Sequence, residues 1–151
     1  MTSETSRGIV RSSELTRFRL APNPGPMSLD GTNSYLIAAP GAAARVAVDP
    51  GPLDEPHLQA LAGEGPVELI LITHRHADHT AAAERFSALT GAPVRAADPA
   101  HCHGAPPLQD GEVIRAAGAD IRVLATPGHT SDSLCFHLPQ DGPHGSVLTG
   151  D

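Results

Sequence analysis

A largely apolar run near the middle of the chain restricts its fold more than any other feature of the sequence. Residues 67–73 read V-E-L-I-L-I-T, a segment of leucine and β-branched residues with the length of a strand. Such a run is typical of a strand that is buried on both faces. Residues 80–90 follow, are rich in alanine, and predict a helix that ends at Gly91. A buried strand, a loop and a helix in this order predict a layered α/β domain.

Short strands and turns fill the rest of the chain. Alternating apolar patterns and turn residues predict strands over residues 15–20, 33–38, 45–48, 94–96, 112–116, 121–125, 134–138 and 146–148, and a second helix over residues 53–62. We expect one ordered domain over residues 15–151. Residues 1–14 are polar and are predicted to form a flexible N-terminal segment.

Composition narrows the compartment and the partners. The formal net charge is -7, so no basic surface draws the chain to an anionic membrane, and nucleic acid is disfavoured but stays open. Two cysteines without C-x-x-C spacing favour a reducing cytoplasm. No stretch has the length of a signal peptide core or a membrane span. We therefore expect a cytoplasmic protein. Apart from histidine, every basic residue is arginine, and alanine is abundant, which favours a bacterial source. The oligomeric state stays open.

Four potential metal ligands follow the central strand within six residues. The sequence T-H-R-H-A-D-H supplies His74, His76, Asp78 and His79. In an extended segment side chains two residues apart share a side, so the first three can converge while His79 faces a second ion. Imidazole and carboxylate groups suit zinc, iron or manganese. A solvated polar loop is the alternative, and the density of ligand-type side chains favours a metal site.

Two weaker segments present one ligand-type side chain each at a predicted strand end. A-T-P-G-H-T places His129 after a Pro-Gly turn, and L-T-G-D places Asp151 after a short strand. Alone, each reads as an ordinary turn. Taken in order, H-x-H-x-D-H, T-P-G-H-T and T-G-D span residues 73–151, and together they closely resemble the metallo-β-lactamase superfamily.

The resemblance implies an αββα sandwich with metals at one edge of its two sheets, of which this chain holds the N-terminal half to two-thirds. It implies the following ligands: His74, His76 and His129 for a first zinc, Asp78 and His79 for a second, and Asp151 as a bridge between them. The superfamily completes this centre with one more histidine after the Gly-Asp motif. The sequence has none there, so we expect a domain truncated at its C-terminus whose second metal site is weak and which is inactive if the missing part is essential.

Two further segments add to the resemblance. Residues 23–37, N-P-G-P-M-S-L-D-G-T-N-S-Y-L-I, resemble the branch that contains lactamase-like protein 2, whose characterised members act on single-stranded RNA. A Pro-Gly loop and a hairpin that pack the first sheet are the structural alternative. Residues 48–51, V-D-P-G, resemble the strand-end aspartate that lies near the metals in the superfamily, although a plain turn explains them equally well.

The function implied is that of a zinc-dependent metallohydrolase. A metal-bound hydroxide would attack an ester-type or phosphodiester bond in a small molecule or single-stranded RNA, and Asp78 would steer a proton. Flavo-diiron relatives carry glutamate at the position of His76, and β-lactamases of the principal zinc class carry cysteine at that of Asp151, so oxygen reduction and antibiotic hydrolysis are disfavoured. A thioesterase like glyoxalase II, a mononuclear-iron sulfur dioxygenase and a catalytically inert metal-binding fragment remain as alternatives.

Overall fold

The computed structural model of the protein describes residues 9–20, 33–51, 53–73, 82–126 and 133–149. Two α-helices and ten strands lie within these residues, together with a short 3-10 turn at Pro99–His101. The helices are α1 (Glu55–Ala62) and α2 (Ala83–Thr90). The strands are β1 (Val10–Arg11), β2 (Thr16–Leu20), β3 (Asn33–Ile37), β4 (Arg45–Val48), β5 (Val67–Leu71), β6 (Val94–Arg95), β7 (Val113–Ala116), β8 (Ala119–Ala125), β9 (Leu134–Leu138) and β10 (Ser146–Leu148).

The strands form two sheets. The first has six strands in the order β1-β2-β3-β4-β5-β6, and the second has four in the order β10-β9-β8-β7. Strands β1 to β4 pair antiparallel with one another, whereas β5 runs parallel to both β4 and β6. All pairs of the second sheet are antiparallel. The helices α1 and α2 follow β4 and β5 in the chain, as the connections between parallel strands require.

The central apolar run is buried on both faces, as the sequence predicts. Leu69 and Leu71 of β5 point into the core between the sheets, together with Phe136 and Ile121 of the second sheet. Ile70 points the other way, into a second core under the helices. Phe86 of α2 and Leu58 and Leu61 of α1 complete that second core. The described residues therefore form helix, sheet and sheet layers, which confirms the predicted layered α/β fold.

Regular structure begins earlier than the flexible segment predicted over residues 1–14 would allow. Val10 pairs with Phe18 in an edge strand, and the Ser13 hydroxyl donates to the Asp141 carboxylate at 2.6 Å. The second contact joins residues that lie 128 apart in the sequence, and the first depends on strand pairing, so a local pattern does not reveal them. Residues 1–8 lie outside the described residues.

The two helices keep the predicted positions with small changes at their starts. Helix α1 begins after Asp54, whose carboxylate accepts the backbone N–H of His57 at 3.0 Å, rather than at residue 53. Helix α2 is described from Ala83 and ends as predicted at Gly91, which adopts a left-handed conformation with φ 78°.

The second sheet crosses the first diagonally. At one end of the sandwich the backbone N–H of Leu134, at the start of β9, donates to the Thr73 carbonyl after β5 at 2.7 Å. Beyond the other end of β9, the Asp141 carboxylate accepts the backbone N–H of Leu15, just before β2, at 2.9 Å. Strand β9 therefore passes from β5 to β2 across the face of the first sheet.

Candidate metal centre

Several strand ends of both sheets meet at one edge of the sandwich. Asp49 follows β4 and Thr73 follows β5, while in the second sheet Thr126 follows β8 and Ser133 precedes β9. We call these four residues the motif edge. The antiparallel pairing of β9 with β8 and β10 also brings the end of β10 to this side. The three ligand-bearing segments predicted from the sequence therefore begin or end at the motif edge.

All six predicted ligands lie outside the described residues. They are His74, His76, Asp78, His79, His129 and Asp151. The structure describes instead the residues that begin and end their segments: Thr73 and Ala82 on either side of the first histidine segment, Thr126 and Ser133 on either side of the second, and Thr149 near the end of the third.

Asp49 holds the residue that precedes the first histidine. Its carboxylate accepts the backbone N–H of Thr73 at 2.8 Å and the Thr73 hydroxyl at 2.7 Å. The Asp49 N–H in turn donates to the Leu71 carbonyl at 2.9 Å. Asp49 is only 2% exposed and has a left-handed φ of 54°, a conformation that aspartate tolerates better than most residues. The carboxylate is therefore directed at Thr73, which follows β5 and immediately precedes the first histidine segment in the sequence.

The same turn fixes the other end of that segment. The carbonyl of Gly51 accepts the backbone N–H of Ala82, just before α2, at 3.1 Å. Gly51 has φ 88°, which glycine adopts without strain. Residues 49–51 thus hold Thr73 and Ala82, between which the four ligands of residues 74–79 lie in the sequence. An anchored segment loses less entropy when its side chains bind an ion.

The second histidine segment is joined to the first through the backbone. Thr126 and Ser133 close its base, with the Thr126 N–H donating to the Ser133 carbonyl at 2.9 Å. The next residue, Leu134, donates to the carbonyl of Thr73. One hydrogen bond closes the base of the His129 segment, and a second connects that base across the two sheets to the residue before His74.

The predicted donor set fits a divalent metal at this edge. Four imidazoles and two carboxylates suit zinc, iron or manganese, and the segments that carry them start from paired strands. Within the part of the chain that the structure describes, no group of three histidine, cysteine, aspartate or glutamate side chains is placed to hold a metal. His101 and His103 therefore do not form a site with Cys102, whose thiol instead contacts the Ala96 carbonyl at 3.4 Å.

A tyrosine lies next to the motif edge on the inner face of the first sheet. Tyr35 of β3 pairs with Val48, the last residue of β4. Burial raises the pKa of Tyr35; a hydrogen bond with the Asn33 side chain opposes this, and the nearby charge of Asp49 adds to the rise. Through its pairing with Val48, Tyr35 lies one residue from Asp49 of the motif edge.

A buried polar cluster supports the opposite face of the same strands. Arg19 of β2 contacts Nδ1 of His57 at 2.7 Å, and the Ser34 hydroxyl of β3 contacts Nε2 at 2.9 Å. Because a guanidinium only donates, Nδ1 accepts and Nε2 carries the proton that is donated to Ser34. Burial is the main cause that lowers the pKa of His57 to about 4, and the charge of Arg19 lowers it further. The imidazole is therefore neutral and joins α1 to the sheet.

Sequence reasoning found one of the supporting residues and missed the others. The V-D-P-G segment pointed to Asp49 as either a turn residue or a neighbour of the metals, and its contacts with Thr73 go beyond those of a plain turn. The contact between Gly51 and Ala82 had no signal beyond the glycine itself. Tyr35 stood out only as the single tyrosine of the chain.

In the described part of the chain, none of the helices has the length and apolar character needed to cross a bilayer.

Curated relatives match most of this chain. It is 33% identical over 141 residues to an atrochrysone carboxyl ACP thioesterase of Aspergillus chevalieri, covering 87% of this chain and 43% of the relative. It is 35% identical over 156 residues to Lactamase-like protein vrtG of Penicillium aethiopicum, covering 93% and 46%. The chain thus spans less than half the length of these relatives. Both organisms are fungi, and the bacterial source expected from composition stays a prediction.

Solved structures share the fold at low sequence identity. The native FEZ-1 metallo-beta-lactamase of Legionella gormanii matches with a TM-score of 0.70 and 18% identity, covering 95% of this chain and 63% of that one. The MIM-2 metallo-beta-lactamase matches with a TM-score of 0.69 and 21% identity, covering 87% and 56%. These likenesses confirm the predicted metallo-β-lactamase fold.

A sequence profile of the family supplies the remaining comparison. It matches residues 27–143, which include β3 to β9, both helices and the first two ligand-bearing segments. The match covers more than half of the chain and agrees with the fold of the solved structures. The chain therefore belongs to the Metallo-beta-lactamase superfamily.

Proposed function

We propose that this chain carries the metal-binding part of a metal-dependent hydrolase that acts on an ester-type substrate, with a thioester as the first choice. The observation that carries the proposal is the hydrogen bond from the Leu134 N–H to the Thr73 carbonyl. It joins the bases of the two histidine segments at one edge of the sandwich. A shared centre for both segments needs such a connection.

The six sequence-predicted ligands divide between two ions in this proposal. Their assignment is His74, His76 and His129 to one ion, Asp78 and His79 to the other, and Asp151 to both. Zinc is the proposed metal, with iron or manganese as alternatives that the same donor set accepts. When bound, such metals supply a Lewis acid that polarises the substrate and lowers the pKa of water to about 7.

The protein's own residues position and move the reacting groups. Asp49 holds Thr73 by two hydrogen bonds that its buried carboxylate accepts. A charge-assisted hydrogen bond of this kind is stronger than a neutral one, so the residue that precedes the first histidine in the sequence is held firmly. We propose that the carboxylate of Asp78 accepts a proton from the attacking water. Residues that hold ligands in this way tune metal affinity as well as position.

A thioester is favoured over a phosphodiester by two observations. One relative is named as an ACP thioesterase and shares 33% identity with most of this chain. The chain also has ten lysine and arginine residues against seventeen acidic ones, whereas binding an RNA backbone draws on basic side chains. The lactamase-like protein 2 branch, with single-stranded RNA as substrate, is the second candidate, and the segment at residues 23–37 is what favours it.

We place the activity in the cytoplasm because Cys102 and Cys135 are both free thiols.

Hydrolysis assays test the proposal. The chain, loaded in turn with zinc, iron and manganese, is assayed with an acyl N-acetylcysteamine thioester, with bis(p-nitrophenyl) phosphate and with a short single-stranded RNA. We expect metal-dependent cleavage of the thioester that is faster than cleavage of either phosphodiester. Cleavage should fall at least about 100-fold in Asp78→Asn if this carboxylate moves the proton.

Matched controls separate the alternatives. His144→Ala removes an exposed histidine from the turn after β9 and should leave the rate unchanged. Oxygen uptake with a persulfide substrate and iron would instead support the sulfur dioxygenase. No metal-dependent turnover on any substrate, with metal bound, would support the inert metal-binding fragment and contradict the proposed activity.

A further inference from the structure

One cross-strand row of side chains on the inner face of the first sheet becomes more exposed from β5 to β1. Leu71, Val48, Tyr35, Phe18 and Val10 are successive cross-strand partners on β5, β4, β3, β2 and β1. Leu71 and Val48 are 0% and 1% exposed, Tyr35 and Phe18 are half-buried, and Val10 is 49% exposed. Among the described residues, the core between the sheets thus covers β4 and β5 fully in this row, covers β3 and β2 in part, and leaves Val10 of β1 exposed.

The diagonal crossing of the sheets explains this gap. Strand β9 meets β5 at the motif edge and reaches β2 only beyond the opposite end. At the motif edge, the inner face of β1 and β2 therefore lies beside the second sheet, and Tyr35 of β3 packs at the margin of the core between the sheets. Leu20, at the end of β2, continues the same face and is 37% exposed. We call Val10, Phe18, Leu20 and Tyr35 the apolar strip.

The apolar strip is continuous with the candidate metal centre. Tyr35 pairs with Val48, and the next residue, Asp49, belongs to the motif edge. The rings of Phe18 and Tyr35 lie 6.0 Å apart at an angle of 44°, which makes one aromatic surface. A molecule whose reacting bond lay at the motif edge would extend along this surface.

The chemistry of the strip indicates what it binds. Its four members carry no charge, and the arginines of β2 alternate with them: Arg19 turns to the other face, where it contacts His57. A nucleic-acid backbone needs basic side chains along its path, and the strip supplies none. An apolar chain gains from burial against such a surface in proportion to its length.

We infer that the apolar strip binds the apolar acyl group of an ester-type substrate and selects substrates by acyl length. The inference rests on the proposed function for the position of the reacting bond. In this inference the rings of Tyr35 and Phe18 form the floor of the binding surface, and Leu20 forms its outer wall.

Binding to the metal-free chain tests this inference independently of catalysis. The chain has one tyrosine and no tryptophan, so its intrinsic fluorescence reports on Tyr35 alone. The probes are acetyl, butanoyl, hexanoyl and octanoyl N-acetylcysteamine thioesters, with a short single-stranded RNA for comparison. We expect tyrosine emission to change on binding and affinity to rise about twofold to fourfold for each added methylene.

Two substitutions locate the effect. Leu20→Ser should weaken octanoyl binding about tenfold and flatten the dependence on acyl length. Val147→Ser is the matched control, because Val147 is a 49% exposed strand residue whose partner is His137 in the second sheet. It should leave the affinities unchanged, and circular dichroism should show both variants folded.

Several results would overturn the inference. Affinity that does not depend on acyl length would mean that the strip is covered by protein or used otherwise. A change in tyrosine emission with RNA but not with the thioesters would favour nucleobase stacking instead. Equal effects of Leu20→Ser and Val147→Ser would place the binding elsewhere. Since no metal is present, any of these outcomes can occur whether or not the loaded protein hydrolyses thioesters.

Discussion

Asp49 shows how one buried side chain can position a segment that carries four potential ligands. It receives two hydrogen bonds from Thr73, and the turn it starts also receives Ala82 through Gly51. A carboxylate at this position serves both donors of Thr73 at once, and aspartate tolerates the left-handed backbone there. The residue therefore links the stability of the sheet edge to the geometry of the metal centre.

Substitution of Asp49 separates these contributions. Asp49→Ala removes both acceptors and places alanine at positive φ, so we expect a loss of about 3 kcal/mol in the free energy of unfolding. Zinc affinity should fall about tenfold. Asp49→Asn keeps an acceptor for the Thr73 N–H and tolerates the same backbone, so it should lose much less of both. Urea denaturation and zinc titration measure the two effects, and equal losses in the two variants would contradict this role.

His57 makes stability depend on pH. Its pKa is about 4 in the folded protein against 6.5 for an unperturbed histidine, so the unfolded chain binds a proton first as the pH falls. The stability from neutral His57 is complete above pH 6.5 and is lost between pH 6.5 and about 4, by about 3 kcal/mol. Protonation would also place a hydrogen on Nδ1, against the guanidinium of Arg19.

The variant His57→Gln isolates this effect. Glutamine can accept from Arg19 and donate to Ser34 but does not titrate. The difference in unfolding free energy between wild type and variant, measured by urea denaturation from pH 4 to 7, should shrink toward the acid end. Parallel curves for the two proteins would show that His57 does not cause the acid sensitivity.

The two helices of the described residues have different C-terminal caps. Helices α1 and α2 are both eight residues long and both end at a glycine, but the two glycines differ in conformation. Gly91 is left-handed with φ 78°, whereas Gly63 has φ -71° in the ordinary helical region.

This difference predicts unequal effects of the same substitution. Gly91→Ala should lower the free energy of unfolding by about 1 kcal/mol, because alanine is strained at positive φ and no neighbour lies within 4 Å to compensate. Gly63→Ala has no positive-φ penalty but brings its Cβ to 3.2 Å from the Gln59 carbonyl oxygen, so we expect a loss smaller than that of Gly91→Ala. Thermal or urea unfolding of the two variants measures both values. A larger loss in Gly63→Ala than in Gly91→Ala would contradict the observed helix ends.

The sequence predicted most strands and both helices because the patterns that specify them involve only neighbouring residues. The apolar run of β5, the turn residues and the glycine after α2 each act on their own neighbours, and strands β9 and β10 have the predicted bounds. The edge strand Val10–Arg11 was missed because it depends on pairing with β2. The positions of the six ligands lie outside the described residues and stay predictions.

At the scale of the whole molecule, the two sheets act as a frame that brings distant segments to one edge. Leu134 reaches Thr73 only because β9 crosses the first sheet diagonally. That crossing is a property of the packed sandwich and leaves no mark in a local pattern, so the sequence indicated Asp49 but not the other supporting contacts or the partly exposed apolar strip. The chain spans 43% and 46% of two relatives, and the activity of the whole protein is therefore a proposal.

Zinc affinity in a double-mutant cycle tests the shared metal centre most directly. Zinc dissociation constants are measured for the wild type, His74→Ala, His129→Ala and the double variant, with His144→Ala as the control. If both histidines hold the same ion, each single variant should bind at least about tenfold more weakly, and the double variant should lose less than the product of the two effects. Wild-type affinity in His129→Ala, or independent effects that multiply in the double variant, would contradict the account.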